Sequence, residues 1–409
     1  MPHTLVTLLG KVKHAQHTNY RTANYYFSEN EYDTSRFFGL TLLKNISPDK
    51  LIVLGTTGSM WDNLMLEVGI DEHYPTLDNK ILQLGEDAQT DNIQQSTLDE
   101  LATYVSKILE IPCELKLIPY GRTQQEQAET LQILMQGFSK GDQASLDVTH
   151  GLRHLPMLVQ QSALLLQTSK AVEIQGIYYG ALDLTEDNKT PVMHLEGLLK
   201  INAWNQALAH YDKQGDYSVL TPVLKQSSLS NQMIDYLENA AFYEQVNNIQ
   251  KARNQLKKFL TCLKQQDHSS NIYLKLFLPA LEARFAWVNE NKLYKRQTVV
   301  AWLALEHGNL LRAALYGFEA FVTHLVQDQN GNPDQYQSRE WAKKDYESQR
   351  PHKTWQFYKQ LRQIRNQLAH SNTNASAEIQ NIMSDRLRLQ QTLQTIFSQL
   401  IPKESNSSL

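Results

Sequence analysis

At 409 residues, with 41% hydrophobic residues, 20% charged residues and a net charge of −4, the chain is long enough for two or three domains and lacks the excess of positive charge that would coat nucleic acid by bulk electrostatics. No apolar run is long enough to span a bilayer, and Met1-Pro2-His3-Thr4 lacks the basic start of a signal peptide, so the expected location is the cytoplasm, without membrane contact. Cys113 and Cys262 stand far apart with no paired metal-ligand spacing, which argues against disulfides and a zinc site.

Short apolar runs alternate with helical patterns up to about residue 190. Leu5-Val6-Thr7-Leu8-Leu9, Leu51-Ile52-Val53-Leu54, Leu115-Lys116-Leu117-Ile118, Ala144-Ser145-Leu146-Asp147-Val148 and Ile174-Gln175-Gly176-Ile177-Tyr178-Tyr179 read as strands. Leu131, Leu134, Met135 and Phe138 follow helical spacing, and Leu155, Leu158 and Leu165 mark another apolar helix. The alternation predicts an α/β, Rossmann-like domain with a mostly parallel sheet and helices on both faces. Val192-Met193-His194-Leu195 is a further candidate strand behind a turn-rich loop.

Such a sheet binds ligands beyond the carboxyl ends of its strands. The first strand leads to Gly10-Lys11 and then Tyr20-Arg21-Thr22-Ala23, the second to Gly55-Thr56-Thr57-Gly58-Ser59-Met60-Trp61, and the fourth to Thr149-His150-Gly151-Leu152-Arg153. These small, hydroxyl-bearing or basic loops suit a phosphodiester ligand; they equally suit tight strand-to-helix turns. Neither a P-loop nor a dinucleotide Gly-x-Gly-x-x-Gly is present.

From about Leu198 the pattern is helical. Trp204, Leu208 and Tyr211 share a face broken by Gly215-Asp216, and Leu256, Phe259, Leu260 and Leu263 mark another helix. The long stripe Leu303, Leu310, Leu311, Leu315, Phe318, Phe321 predicts one major helix carrying Glu306, Asn309 and Arg312, followed by a turn-forming loop at Asp328-Gln329-Asn330-Gly331-Asn332-Pro333-Asp334. Between Arg339 and Arg365, eight Lys or Arg face three acids, with Trp341, Tyr346, Trp355, Phe357 and Tyr358 interleaved. Cations meet phosphates and rings stack on bases in single-stranded nucleic-acid channels; a solvated helical face with core aromatics gives the same pattern.

Leu361, Ile364 and Leu368 place Arg365-Asn366-x-x-x-His370 on an amphipathic helix expected to stop at Ser371-Asn372-Thr373-Asn374. Histidine moves protons near neutral pH, a guanidinium holds two phosphate oxygens, and an amide orients either. Together they suit metal-free RNA cleavage, in which a ribose 2′-OH attacks the adjacent phosphate to leave a 2′,3′-cyclic phosphate and a 5′-OH. A His at a helix C-terminus, favoured there by the dipole, is the plainer reading of the same residues.

Asp147-Val148-Thr149-His150-Gly151 resembles the DxTHG signature of CRISPR-associated proteins with a CARF sensor domain. Leu9-Gly10 with Tyr20-Arg21-Thr22-Ala23-Asn24-Tyr25 and the Gly55–Trp61 loop are similar to the strand-end motifs of that group, and Arg365-Asn366-x-x-x-His370 resembles the catalytic motif of HEPN ribonucleases. The resemblance implies a type III CRISPR ancillary endoribonuclease. A CARF domain at 1–197, an all-α connector at 198–297, an all-α HEPN domain at 298–401 and a disordered tail at 402–409 follow from it together with the patterning. It implies a homodimer that binds a cyclic oligoadenylate, with cyclic tetra-adenylate favoured, and that cuts single-stranded RNA. No cofactor beyond this activator is expected. Gly10, Arg21, Thr56, Thr57, Gly58, Ser59, Thr149, His150, Gly151 and Arg153 are the implied ligand contacts, and Arg365, Asn366 and His370 the implied catalytic residues, with Asp147 organising its loop. The alternative is a ligand-sensing regulator that binds nucleic acid without cutting it. Whether the sensor also degrades its ligand stays open.

Overall fold

The computed structural model describes residues 1–11, 22–28, 31–227, 229–265, 271–349, 352–370 and 375–403. Arg21, Arg350, the expected helix stop at 371–374 and tail residues 404–409 therefore lie outside the described residues. The chain divides into two units after Leu199.

The first unit is built on an eight-stranded sheet: β1 (His3–Leu9), β2 (Ala23–Ser28), β3 (Glu31–Ser35), β4 (Lys50–Gly55), β5 (Cys113–Leu117), β6 (Gln143–Asp147), β7 (Glu173–Gly180) and β8 (Thr190–His194), in the spatial order β3-β2-β8-β7-β6-β1-β4-β5. From β7 to β5 every neighbouring pair is parallel, whereas β8 runs antiparallel to β7 and β3 antiparallel to β2. β1 alternates sides: Leu5 and Leu9 enter the core under the helices Phe38–Ile46, Trp61–Val68 and Gln95–Leu109, while Val6 and Leu8 enter the core under Gln124–Gln136 and His154–Lys170. A strand buried on both faces must be apolar on both, and this explains the continuous runs in the sequence. The five expected strands and the candidate Val192 strand are all present.

β2 and β3 were not expected, and Ala23, read as the end of a loop, begins β2. Ala23 and Tyr25 alternate inward, and Tyr26 stacks on Tyr32 across the pair at 5.2 Å. The short polar edge pair offers only a weak period-2 signal.

Because β4 lies on one side of β1 and β6 on the other, the chain reverses its order of strand addition at β1. The carboxyl ends of β1, β4 and β6 meet at this switch point, where α/β sheets place ligands.

The second unit is helical, and one hydrophobic core joins residues from Trp204 to Ile401. The boundary expected at 297/298 falls inside the helix Leu293–Glu306, so connector and terminal domain share this core. The expected single helix across Leu303 to Phe321 is two, Leu293–Glu306 and Leu310–Asp328. Gly308 adopts φ 74° and the Asn309 side chain accepts from the Arg312 N–H at 3.2 Å. A positive-φ glycine followed by an Asn cap ends one helix and starts the next, although the apolar stripe runs on through the break. Among the described residues, no helix is long and apolar enough to cross a membrane.

Candidate functional sites

At the switch point, several expected ligand residues prove to be turned inward. Thr56 and Ser59 are each 2% exposed. Ser59 Oγ accepts from the Thr56 N–H at 2.9 Å and donates to the Leu9 carbonyl at 2.9 Å, and Trp61 Nε1–H donates to the Thr56 carbonyl at 2.9 Å. The Ser59 hydroxyl staples the β4 loop to the end of β1. The Gly10 carbonyl adds a second tie by accepting from the Met60 N–H at 3.0 Å.

The loop after β6 works in the same way. Asp147 is fully buried; it accepts from Thr7 Oγ1 at 2.5 Å and from the Thr149 N–H at 2.8 Å. Thr149 Oγ1 accepts from the Gly180 N–H at 2.8 Å. His150 is buried, stacks on Phe37 with ring centroids 5.5 Å apart, and accepts from the Phe38 N–H at Nε2, 3.3 Å away. Buried polar groups must find partners inside the protein. The side chains of Thr56, Ser59 and His150 are thus buried and tied within the strand-end loops, and half-buried Thr149 is tied to the β7 backbone. Gly151, at φ 101°, turns the chain without a Cβ penalty.

Burial moves both titrating groups of this loop: Asp147 rises to about 6 and His150 falls to about 4. A raised carboxyl pKa stabilises the fold at low pH and is lost as pH climbs toward 6; a lowered histidine pKa costs stability as pH falls below the unfolded value near 6.5. The two oppose each other over one window. Asp147→Asn removes the first, so its stability at pH 7.5 relative to pH 4.5 should rise by about 2 kcal/mol more than the native chain's. Urea unfolding at the two pH values checks this, and equal pH responses would refute the assignment.

Arg153 is exposed and Thr57 half-buried. Beside them stand residues not singled out beforehand: Lys11, Asp91, Tyr120 and Arg122. Tyr120 Oη donates to Asp91 Oδ1, Lys11 Nζ lies 3.7 Å from that carboxylate, and the Arg122 guanidinium lies 4.5 Å from the Tyr120 ring centroid. The tyrosine hydrogen bond, followed by Lys11, lowers the Asp91 pKa. These tips close over Gly58, where a Cβ would come within 2.5 Å of Asp91 Oδ1 and Tyr120 Oη. Pro119-Tyr120-Gly121-Arg122 carries the same strand-end turn and cation as the other loops, so the sequence held that signal. Asp91 reaches the site from a helix end remote in sequence and left none.

In the second unit, the helix Trp355–His370 buries Tyr358, Leu361 and Ile364. Asn366 and His370 are exposed and Arg365 is half-buried. Arg365 Nη1 donates to Asn366 Oδ1 at 2.7 Å. His370, the last helical residue, is hydrogen-bonded to neither. A base, an amide and a guanidinium thus lie along one stretch of helix, with the imidazole open to solvent. The basic and aromatic stretch before them separates: Arg339, Lys343 and Arg362 pair with Glu319, Glu340 and Glu347. Tyr346, Trp355, Phe357 and Tyr358 pack on the core. Trp341, at 59%, is the exposed ring among the five, and Lys344, Lys353 and Lys359 remain exposed cations. For four of the five rings the core-aromatic reading holds.

Residues 4–183 match the family model for the CARF domain of the CRISPR system endoribonuclease Csx1. The chain is similar to CRISPR-associated protein MJ1674 of Methanocaldococcus jannaschii, 25% identical over 395 residues that cover 90% of this chain and 61% of that protein's length. A structure of Enterococcus italicus Csm6 bound to cyclic hexa-2'-fluoro-hexa-dAMP aligns over 99% of this chain and 96% of that one, with a TM-score of 0.34 and 11% identity.

Proposed function

We propose that this chain is a cyclic oligoadenylate-activated, metal-independent endoribonuclease that cuts single-stranded RNA in type III CRISPR defence, a reading supported by the match of residues 4–183 to the family model for the Csx1 CARF domain. The observation that carries the reading is the coexistence, in one chain, of a CARF ligand face and a helix presenting Arg365, Asn366 and His370. Lys11, Arg122 and Arg153 supply cations to phosphodiesters at the strand ends, and the turned glycines let backbone N–H groups approach them.

In the helical unit, His370 takes the proton from a ribose 2′-OH. The alkoxide attacks the adjacent phosphorus, the P–O5′ bond breaks, and the 5′ oxygen takes a proton from water as it leaves. Arg365 stabilises the charge that develops on the phosphoryl oxygens, and Asn366 fixes the guanidinium. Two copies of the motif meet in a homodimer, and the ring activates by binding one dimer arrangement more tightly than the other.

The test is cleavage of a fluorescent single-stranded RNA in EDTA, with and without cyclic tetra-adenylate. The expected result is cutting that requires the ring, tolerates EDTA and leaves 2′,3′-cyclic phosphate ends. If neither the tetra- nor the hexa-adenylate ring stimulates cutting, the ribonuclease reading gives way to a ligand-sensing nucleic-acid binder.

A further inference from the structure

Arg365 is held by more than Asn366. Its guanidinium carbon lies 4.8 Å from the centroid of the Phe318 ring, which the helix Leu310–Asp328 presents at 5% exposure. Phe318 is fixed from elsewhere by Tyr358, whose ring is nearly parallel to it at 23° with centroids 6.0 Å apart. Tyr358 is itself fully buried, and its hydroxyl donates to Glu347 at 3.2 Å. The Arg365 Nε–H is buried and has no hydrogen-bond partner among the described residues.

An arginine whose only task was to solvate a helix face would keep Nε in water. Here an N–H is given up to burial so that the cation can lie against a ring, where the quadrupole attracts it. A guanidinium held against a ring and tied at one Nη has its plane set before substrate arrives, and a planar fork recognises phosphate oxygens only in a defined orientation.

We propose that Phe318 is a positioning residue for the cleavage step: it fixes the plane of the Arg365 guanidinium for the scissile phosphate, acting through Arg365 and not on RNA itself. The inference rests on the ribonuclease reading above. In Phe318→Leu, kcat falls about tenfold while KM for RNA and the affinity for the cyclic ring stay at native values.

Two measurements separate this from a packing role. Millimolar methylguanidinium should restore cleavage by Arg365→Ala about tenfold, because the ring still offers a docking face, and should fail in Arg365→Ala/Phe318→Leu. In the native chain, the Arg365 Hε resonance should be shifted upfield by the ring and exchange slowly with solvent, and Phe318→Leu should return it to the position of exposed arginines. Equal rescue with and without Phe318, or an Hε resonance at the ordinary position in the native chain, overturns the proposal. The resonance needs no variant to fold and no activity to be present. A native chain that cuts no RNA defeats the ribonuclease reading, while the Hε measurement still decides whether the ring holds the cation.

Discussion

If the chain is the ring-activated ribonuclease proposed above, His370→Ala should lower the rate of ligand-stimulated RNA cleavage by about 10²- to 10⁴-fold, the usual contribution of a general base. Affinity for the cyclic ring and resistance to urea should remain at native values. The imidazole is exposed at the end of its helix, so truncating it opens no cavity, and surface changes of this kind shift stability by about 0.5 kcal/mol or less. Single-turnover cleavage with saturating ring, beside an unfolding titration of the same preparation, makes the comparison. A variant that cuts at the native rate would show that His370 only caps the helix, and the Arg365-Asn366-x-x-x-His370 motif would lose its chemical content. Cleavage lost together with stability would assign the residue to structure.

The largest stability effect is expected at Arg312. Its Nη2 pairs with Glu244 Oε1, and its Nη1 donates to the Gly215 carbonyl at 3.3 Å. Glu244 is 5% exposed, and the Tyr316 hydroxyl donates to the Glu244 carbonyl at 2.7 Å. Burial raises the Glu244 pKa, and Arg312 is the main influence drawing it back. Arg312→Ala leaves that carboxylate buried without its counter-charge and should cost about 3–5 kcal/mol. The cost should grow as pH rises, because the variant holds Glu244 protonated and the unfolded chain does not. Urea unfolding at pH 5 and pH 8 reads both effects. Adding Glu244→Leu should recover part of the loss, since it removes the buried carboxylate that would otherwise lack a counter-ion, while the space left by the arginine stays open. A loss under about 1 kcal/mol at both pH values would mean the pair is solvated in practice.

This ion pair shows where sequence reading stopped. Arg312 and Glu244 are 68 residues apart, and a long apolar stripe placed Arg312 on one continuous helix. The helix in fact ends at Glu306 and restarts at Leu310, because Gly308 and Asn309 supply a turn and a cap that the hydrophobic pattern does not register. The edge strands β2 and β3 escaped for a related reason: with little of their surface in the core, they carry little of the periodicity that marks a strand.

The strand-end loops were legible in their location, and the direction in which their side chains point was not. Asp147 was understood correctly as an organiser of its loop. Thr56, Ser59, Thr149 and His150 were assigned to a ligand because hydroxyl and imidazole groups at strand ends are what a phosphodiester needs, yet the same groups are what a buried turn needs to satisfy its own backbone. Lys11, Asp91, Tyr120 and Arg122 gather from three loops, and only folding brings them over Gly58.

Local patterns of apolar spacing and turn chemistry were enough to mark the parallel sheet, the helical second half, the strand-end loops and the helix that carries Arg365, Asn366 and His370. The tertiary structure decided which side of each polar group faces inward, that 198–297 and 298–401 share one core, and that Arg365 lies against Phe318. Those outcomes depend on which distant residues compete for the same buried hydrogen bonds and the same apolar surface, and no local pattern encodes that competition.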